Sequence, residues 1–320
     1  MVIFPVPWEV TTSYGAGTSN GPASRLVCSS QIDLTHLDTG AVYERGIYWD
    51  EAKSKAWKKL NDQLKPMAKK ITKQLESGKP LKGEFLKMQK TINEKGEKLH
   101  QEVYQTAKAL LAEGKLVGMV RGAHSAPYDA IQAVSEKHKG DVTIIHIDAH
   151  ADLRNSYQGY KHSHASIMRN VMESQNPPKK LIQLGIRDFC QEEMDFMAEY
   201  DISCFYDRDV KRRMFKGESW YSICQSILEQ IPTEKIYFSF DIDGLNPSLC
   251  KNTGTPVPGG LEFEQATELM NYLITHKKKL IGFDLCEVTP DSPKDLDCWD
   301  GNVGSRLLYN LSCYTLFSNK

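Results

Sequence analysis

Val142-Thr-Ile-Ile-His-Ile-Asp-Ala-His-Ala-Asp152 is the stretch on which the fold of this chain turns. Its first six residues are mostly β-branched, the composition of a buried strand. Asp148, His150 and Asp152 follow at once, each separated by one spacer. Side chains at i, i+2 and i+4 of an extended segment share a face, so the spacing predicts three groups aimed at one point past a strand end. Ser239-Phe-Asp-Ile-Asp243 repeats the device, with Ile236–Phe240 as the strand and Asp241 and Asp243 at its end. His124 follows a third apolar run, Leu116–Val120. Four carboxylates crowded without a cation would repel and shift their pKa values upward. One divalent ion leaves them under-neutralised; two ions bridged by shared carboxylates balance them. A lone Asp-x-Asp is usually a turn or cap, and a lone histidine usually structural. Three clusters in order at strand ends argue against that reading.

Outward from these clusters the chain alternates. Strands are expected at Val2–Phe4, Leu116–Val120, Val142–Ile147, Leu181–Gly185, Ile202–Phe205, Ile236–Phe240 and Leu280–Leu285. Helices are expected at Ala126–Lys137, Ser163–Glu173, Glu192–Glu199, Trp220–Gln230, Phe263–Thr275 and Val303–Ser318. This rhythm predicts a parallel sheet with helices on both faces. The polar clusters then lie past the C-terminal strand ends, where such sheets bind ligands. Residues 9–22 are dense in turn formers and read as a long, functional loop. Between about 50 and 113, Lys and Glu dominate. Trp57, Leu60, Leu64 and Met67, then Phe85, Met88 and Ile92, recur at helical spacing. Two or three amphipathic helices with a solvated charged face are expected there, broken near Gly78-Lys-Pro80. No repeat or linker interrupts the pattern, so residues 1–320 read as one domain carrying a charged helical insert.

The formal net charge of the 320 residues is −1. No basic field is available for nucleic acid or an anionic membrane, so neither is expected as a partner. Neither a transmembrane run nor a signal peptide is legible. Eight cysteines are scattered without a CxxC pair, as expected for reduced, mostly buried thiols of a cytoplasmic protein. Carboxylate and imidazole donors without thiolates suit Mn²⁺, with Fe²⁺, Co²⁺ or Ni²⁺ as alternatives, better than four-coordinate Zn²⁺.

Gly122-Ala-His124-Ser125, Ile147-Asp-Ala-His-Ala-Asp152, Ser239-Phe-Asp-Ile-Asp243, Thr253-Gly-Thr-Pro-Val-Pro-Gly-Gly260 and Gly282-Phe-Asp-Leu-Cys-Glu287-Val together resemble the ureohydrolases. That is the family of arginase, agmatinase and formimidoylglutamase, and the likeness runs from Pro5 to about Tyr309. It implies a three-layer α/β/α fold with a central, mostly parallel, roughly eight-stranded sheet. It also implies a two-manganese centre. His124, Asp148, Asp152 and Asp241 would hold the first ion, and Asp148, His150, Asp241 and Asp243 the second, with Asp148 and Asp241 bridging. By the same resemblance Glu287 pairs with a guanidinium, and Asp152 orients a metal-bridging hydroxide that attacks its carbon. His164 protonates the leaving amine with a pKa near working pH, and Thr255 lines the pocket. His162 reads as a surface histidine. Trimers or hexamers are the assemblies the family implies.

The segments Val10–Pro22, Asp152–Gly159 and Ser163–Arg169 resemble bacterial and archaeal agmatinases, which makes agmatine, giving putrescine and urea, the expected substrate. Arg154 stands where arginases have Asn. It could instead receive the carboxylate of arginine or formimidoylglutamate, or form a structural ion pair. Arg121 and Ala123 depart from the family's Gly-Gly-Asp/Glu-His-Ser and remove the acidic neighbour of His124, whose metal support is therefore expected to differ. This departure and the charged insert keep a third reading open: a catalytically weak metal-binding or assembly protein.

Overall fold

The computed structural model describes every residue except Ser13, Ala126, Pro127 and Lys161. Its strands are β1 (Val2–Val6), β2 (Tyr48–Trp49), β3 (Val117–Arg121), β4 (Thr143–Ile147), β5 (Lys180–Leu184), β6 (Ser203–Phe205), β7 (Lys235–Asp241) and β8 (Lys279–Cys286). They form one eight-stranded sheet in the order β2-β1-β3-β8-β7-β4-β5-β6, and every pairing is parallel. The helices are α1 (Gly21–Ser29), α2 (Ser54–Glu76), α3 (Glu84–Ala112), α4 (Tyr128–Lys137), α5 (Ile167–Met172), α6 (Gln191–Glu199), α7 (Asp207–Phe215), α8 (Trp220–Glu229), α9 (Phe263–Thr275) and α10 (Trp299–Ser318).

Alternate strand residues feed two cores, as the pleat requires. Ile144 packs with Trp57, Leu99, Ile131 and Phe196 on one face. Its neighbour Ile145 packs with Ile223, Leu269 and Leu307 on the other. Parallel strands buried on both faces explain the continuous apolar runs of the sequence. The expected three-layer α/β/α architecture is therefore present.

Several elements differ from expectation. β2, only two residues long, carries no periodic signal. α1 opens inside the segment read as loop; its Pro22 sits in the first turn, where a fixed φ favours a helix start although Gly-Pro in isolation reads as a turn. α7 buries only Asp207 and Val210, so its apolar stripe is too thin to see. The charged stretch resolves into two long helices, α2 and α3. Of the expected helix over 126–137, Ala126 and Pro127 lie outside the described residues.

The strand order decides the position of the polar clusters. β3, β8, β7 and β4 are consecutive at the centre of the sheet. Their C-terminal ends lead into His124, Glu287, Asp241 with Asp243, and Asp148 through Asp152, which brings residues far apart in sequence to one place.

Candidate metal centre

The ligand-type residues converge by turns rather than by strand pleat, which corrects the shared-face expectation. β4 stops at Ile147, and residues 148–152 form a loop. Asp148 Oδ1 accepts the His150 N–H at 2.7 Å, and Asp241 Oδ1 accepts the Asp243 N–H at 2.9 Å. Asp243 Oδ1 accepts the Ala149 N–H at 3.0 Å and ties the two loops together. Asp152 has φ 56°, a left-handed backbone that few non-glycine residues adopt. Such conformations cluster at functional sites, where surrounding structure enforces them.

Two groups result, and they share Asp148. His124 Nδ1 lies 3.0 Å from Asp148 Oδ2, 3.0 Å from Asp152 Oδ2 and 3.6 Å from Asp241 Oδ2. His150 Nδ1 lies 3.3 Å from Asp148 Oδ1 and 3.2 Å from Asp243 Oδ2. The four aspartates and His124 are buried, and His150 is half-buried. The structure thus gathers all six residues singled out in the sequence.

The donor set asks for cations. Ser239 Oγ donates to Asp284 Oδ1 at 3.0 Å, so toward His124 Nε2, 3.1 Å away, it acts as acceptor. The Nδ1 of a neutral His124 then carries a lone pair facing three carboxylates, an arrangement that is repulsive until a positive charge enters. Burial, with Asp148 nearby, pushes Asp152 up to about 7. Burial and Asp243 raise Asp241 well above the usual carboxylate range. Burial also opposes ionisation of Asp148, but the surrounding imidazoles His124, His146 and His150, wherever they carry a proton toward it, hold its pKa well below the ordinary value. His146 was not singled out in the sequence. It lies inside β4, its Nε2 is 2.9 Å from Asp148 Oδ2, and it falls in one cluster with His124, Asp148 and Asp152. No short-range pattern marks it, because a strand histidine reads as a core irregularity.

Beside the carboxylates stands Glu287, also at positive φ, 62°. Its Oε1 accepts the His124 N–H at 2.8 Å. Its Oε2 is buried with no hydrogen-bond partner among the described residues. Burial pushes this carboxyl up to about 8. A Cβ on Gly254 would come within 2.7 Å of that oxygen, so the Thr253–Gly260 loop approaches closely because residue 254 has no side chain.

Residues 1–298 match the Arginase family. The chain belongs to the arginase family. It is 28% identical over 292 residues to an N(1)-aminopropylagmatine ureohydrolase of Synechocystis, covering 91% of this chain and 81% of that protein. It is 33% identical over 170 residues to an agmatinase of Pyrococcus horikoshii, 53% of either chain. The solved agmatine ureohydrolase of Thermoplasma volcanium superposes with a TM-score of 0.70 at 22% identity, over 99% of this chain and 88% of that one. Family membership makes the protein a ureohydrolase and implies a binuclear metal centre, which the two clusters sharing Asp148 fit.

Within this ureohydrolase, a cavity of about 150 Å³ opens onto His150 and Asp152, and Arg154, Tyr157, His164 and Thr255 line it with Asp188 and Glu193. The Arg154 guanidinium lies over the Tyr157 ring, and its Nε is 3.8 Å from Glu193 Oε2. His164 hydrogen-bonds the main chain of Thr11; burial, then the charge of His150, pushes its pKa down to about 4, below the near-neutral value expected. His162 is half-buried rather than on the surface, with its Nε2 3.1 Å from Glu97 Oε2.

Ala123 is buried, and its N–H donates to the Trp8 carbonyl. The orienting partner of His124 comes instead from β7, through Ser239. Arg121 is buried away from solvent, near Asp129 and Asp284. The helical insert is not a detached charged face. Lys65 of α2 donates to the Glu9 carbonyl at 2.6 Å and to Thr12 Oγ1 at 2.8 Å, and so braces the loop that holds Thr11 against His164. Gln89 of α3 donates to the Gln158 carbonyl at 3.1 Å and supports the loop carrying Tyr157.

Proposed function

We propose that this ureohydrolase cleaves a guanidino compound with an amine tail, agmatine or an agmatine extended by an aminoalkyl group, to urea and the corresponding amine. The observation that carries the reading is the buried, unpartnered Oε2 of Glu287 beside the two carboxylate–histidine groups. Burying a carboxylate without a partner is costly, and a planar guanidinium is the cation best matched to it. The mouth favours an amine over a carboxylate at the far end of the substrate: Asp188 and Glu193 outnumber Arg154, whose charge already faces Glu193. The names of the Synechocystis and Pyrococcus relatives point to the same substrate class.

In this reading His124, Asp148, Asp152 and Asp241 would hold one divalent ion, and Asp148, His150, Asp241 and Asp243 a second, manganese fitting the oxygen-rich donor set. When bound, the ions supply an activated water and a field that stabilises negative charge on the substrate. Glu287 fixes the guanidinium plane. Its other oxygen is locked by the His124 N–H, so the carboxylate cannot rotate away from the carbon under attack. Asp152 would accept a hydrogen bond from the attacking water. His164, neutral in its buried setting, can take up a proton and pass it to the departing amine nitrogen. Thr255 borders the substrate chain.

Urea release by the Mn²⁺-loaded protein tests this with agmatine, N(1)-aminopropylagmatine, arginine and 4-guanidinobutyrate. Turnover of the amine-tailed compounds well above the carboxylate-bearing ones is expected. Preference for arginine would overturn the amine-tail assignment, and no urea from any compound would overturn the whole reading.

A further inference from the structure

One residue level below the carboxylates, a polar row crosses the sheet. The β4–β5 register places His146 opposite Gln183. The β4–β7 register places it opposite Ser239, and the β7–β8 register places Ser239 opposite Asp284. All four residues are buried to completion. Four polar side chains in a sheet interior would be costly unless their hydrogen bonds were specified.

By distance alone His146 could be a ligand, since its Nε2 clusters with the candidate donor atoms of His124, Asp148 and Asp152. Gln183 decides otherwise. Its Nε2 donates to the Ala151 carbonyl at 2.7 Å and lies 2.9 Å from His146 Nδ1. A flipped amide would set its oxygen against the Ala151 carbonyl, two acceptors in contact, so the NH₂ group must face both partners. His146 Nδ1 therefore accepts a hydrogen bond, and a neutral imidazole then carries its proton on Nε2. A protonated Nε2 has no lone pair for a metal; it donates to Asp148 Oδ2, 2.9 Å away. The same row sets His124 the opposite way, because Ser239 donates to Asp284 and leaves His124 Nδ1 bare toward the carboxylates.

We infer that His146 is a positioning residue and not a metal ligand: Gln183 fixes its tautomer so that Nε2–H holds Asp148, the carboxylate common to both groups, in place. The effect on metal rests on the proposed metal role of Asp148; the tautomer does not. A neutral donor orients the shared carboxylate without adding charge to the site. Groups in this position typically alter metal affinity by ten- to a hundred-fold.

The test has two arms on the full-length protein. In the metal-free form, ¹⁵N-histidine NMR, with His146 assigned by loss of its signals in His146→Leu, is expected to show the Nε2–H tautomer. In Gln183→Glu a carboxylate faces Nδ1, and the proton is expected to move there. An Nδ1–H tautomer in the unsubstituted protein would overturn the inference. In Mn²⁺ titrations by calorimetry, His146→Leu is expected to weaken binding by roughly ten- to a hundred-fold. His146→Gln keeps an N–H near the place of Nε2 and is expected to restore most of the affinity, which a ligand role would not allow. Thermal melts of the metal-free variants check folding. Unchanged Mn²⁺ binding in His146→Leu would overturn the positioning role. An unsubstituted protein that bound no Mn²⁺ would overturn the metal reading of Asp148 and leave the tautomer result to stand or fall by NMR.

Discussion

The main-chain N–H of His124 donates to Glu287 Oε1 at 2.8 Å, while the Glu287 N–H donates to the neighbouring Gly122 carbonyl at 2.7 Å. The end of β3 and the end of β8 therefore clamp each other. A candidate metal ligand and the candidate guanidinium anchor are held as one unit, by one hydrogen bond from main chain to carboxylate and one between main chains. The positive φ of Glu287 is the local strain that this clamp sustains.

Glu287→Gln keeps the shape and removes the charge. Losing one member of a buried ion pair typically costs about 3–5 kcal/mol, so kcat/KM is expected to fall by roughly a hundred-fold to several thousand-fold. Mn²⁺ stoichiometry by elemental analysis should stay the same. Retained turnover would show that Glu287 does not pair with the substrate cation.

Gly254→Ala would place a methyl group 2.7 Å from Glu287 Oε2. The anchor or the loop must then shift, and a misplacement of about 1 Å can cost on the order of a hundred-fold in rate. The expected signature is a large loss of kcat/KM at unchanged metal content, measured by urea release beside elemental analysis.

Metal-dependent stability should vary with pH. Burial raises Asp152 to about 7 and Glu287 to about 8, against roughly 4 in the unfolded chain. A carboxyl raised in this way binds an extra proton in the folded state. Its contribution to stability is full below about pH 4 and is lost as pH rises through the folded pKa. Asp148 shifts the other way, but its titration lies below this window. Buried His164, pushed down to about 4, also opposes the trend, only up to about pH 6.5, so the loss is steepest above it. The metal-free protein should therefore lose Tm between about pH 5 and pH 8.5, and Mn²⁺ should raise Tm more at about pH 8.5 than at about pH 6. Scanning fluorimetry with and without Mn²⁺ measures both; equal increments at the two pH values would contradict the assignment.

Arg154 is 40% exposed, and its Nε lies 3.8 Å from the buried Glu193 carboxylate, beyond hydrogen-bond reach; a contact this long with one partner in solvent is worth about 0–1 kcal/mol. Arg154→Ala should change the turnover of amine-tailed substrates by less than about five-fold. A large loss confined to carboxylate-bearing substrates would instead assign Arg154 to their recognition.

Lys65→Met removes the brace between α2 and the 9–12 loop. Hydrogen bonds from a charged group are worth about 1.5–3 kcal/mol, so a corresponding loss of stability in denaturant titrations is expected. Impaired turnover should accompany it, because Thr11 would no longer hold His164. Unaltered kinetics would separate the helical hairpin from the site.

The sequence by itself determined which residues the fold gathers at the candidate site. His124, the Asp148–Asp152 cluster, Asp241, Asp243 and Glu287 were legible because each follows a β-branched or apolar run, and because carboxylates and imidazoles at fixed short spacing have few structural explanations. The alternation of strands and helices was legible for the same local reason. α1 and α7 were not, since a Gly-Pro start and a helix burying one valine leave no periodic trace. Only the tertiary structure decided how the site is held. The carboxylates meet through turns and two left-handed residues rather than along a pleat. The row Gln183, His146, Ser239 and Asp284 exists because β5, β4, β7 and β8 lie side by side in that order. Register between strands separated by dozens of residues is set by the packing of the whole sheet, so the hydrogen bond that assigns a proton to His146 cannot be read from any window of sequence.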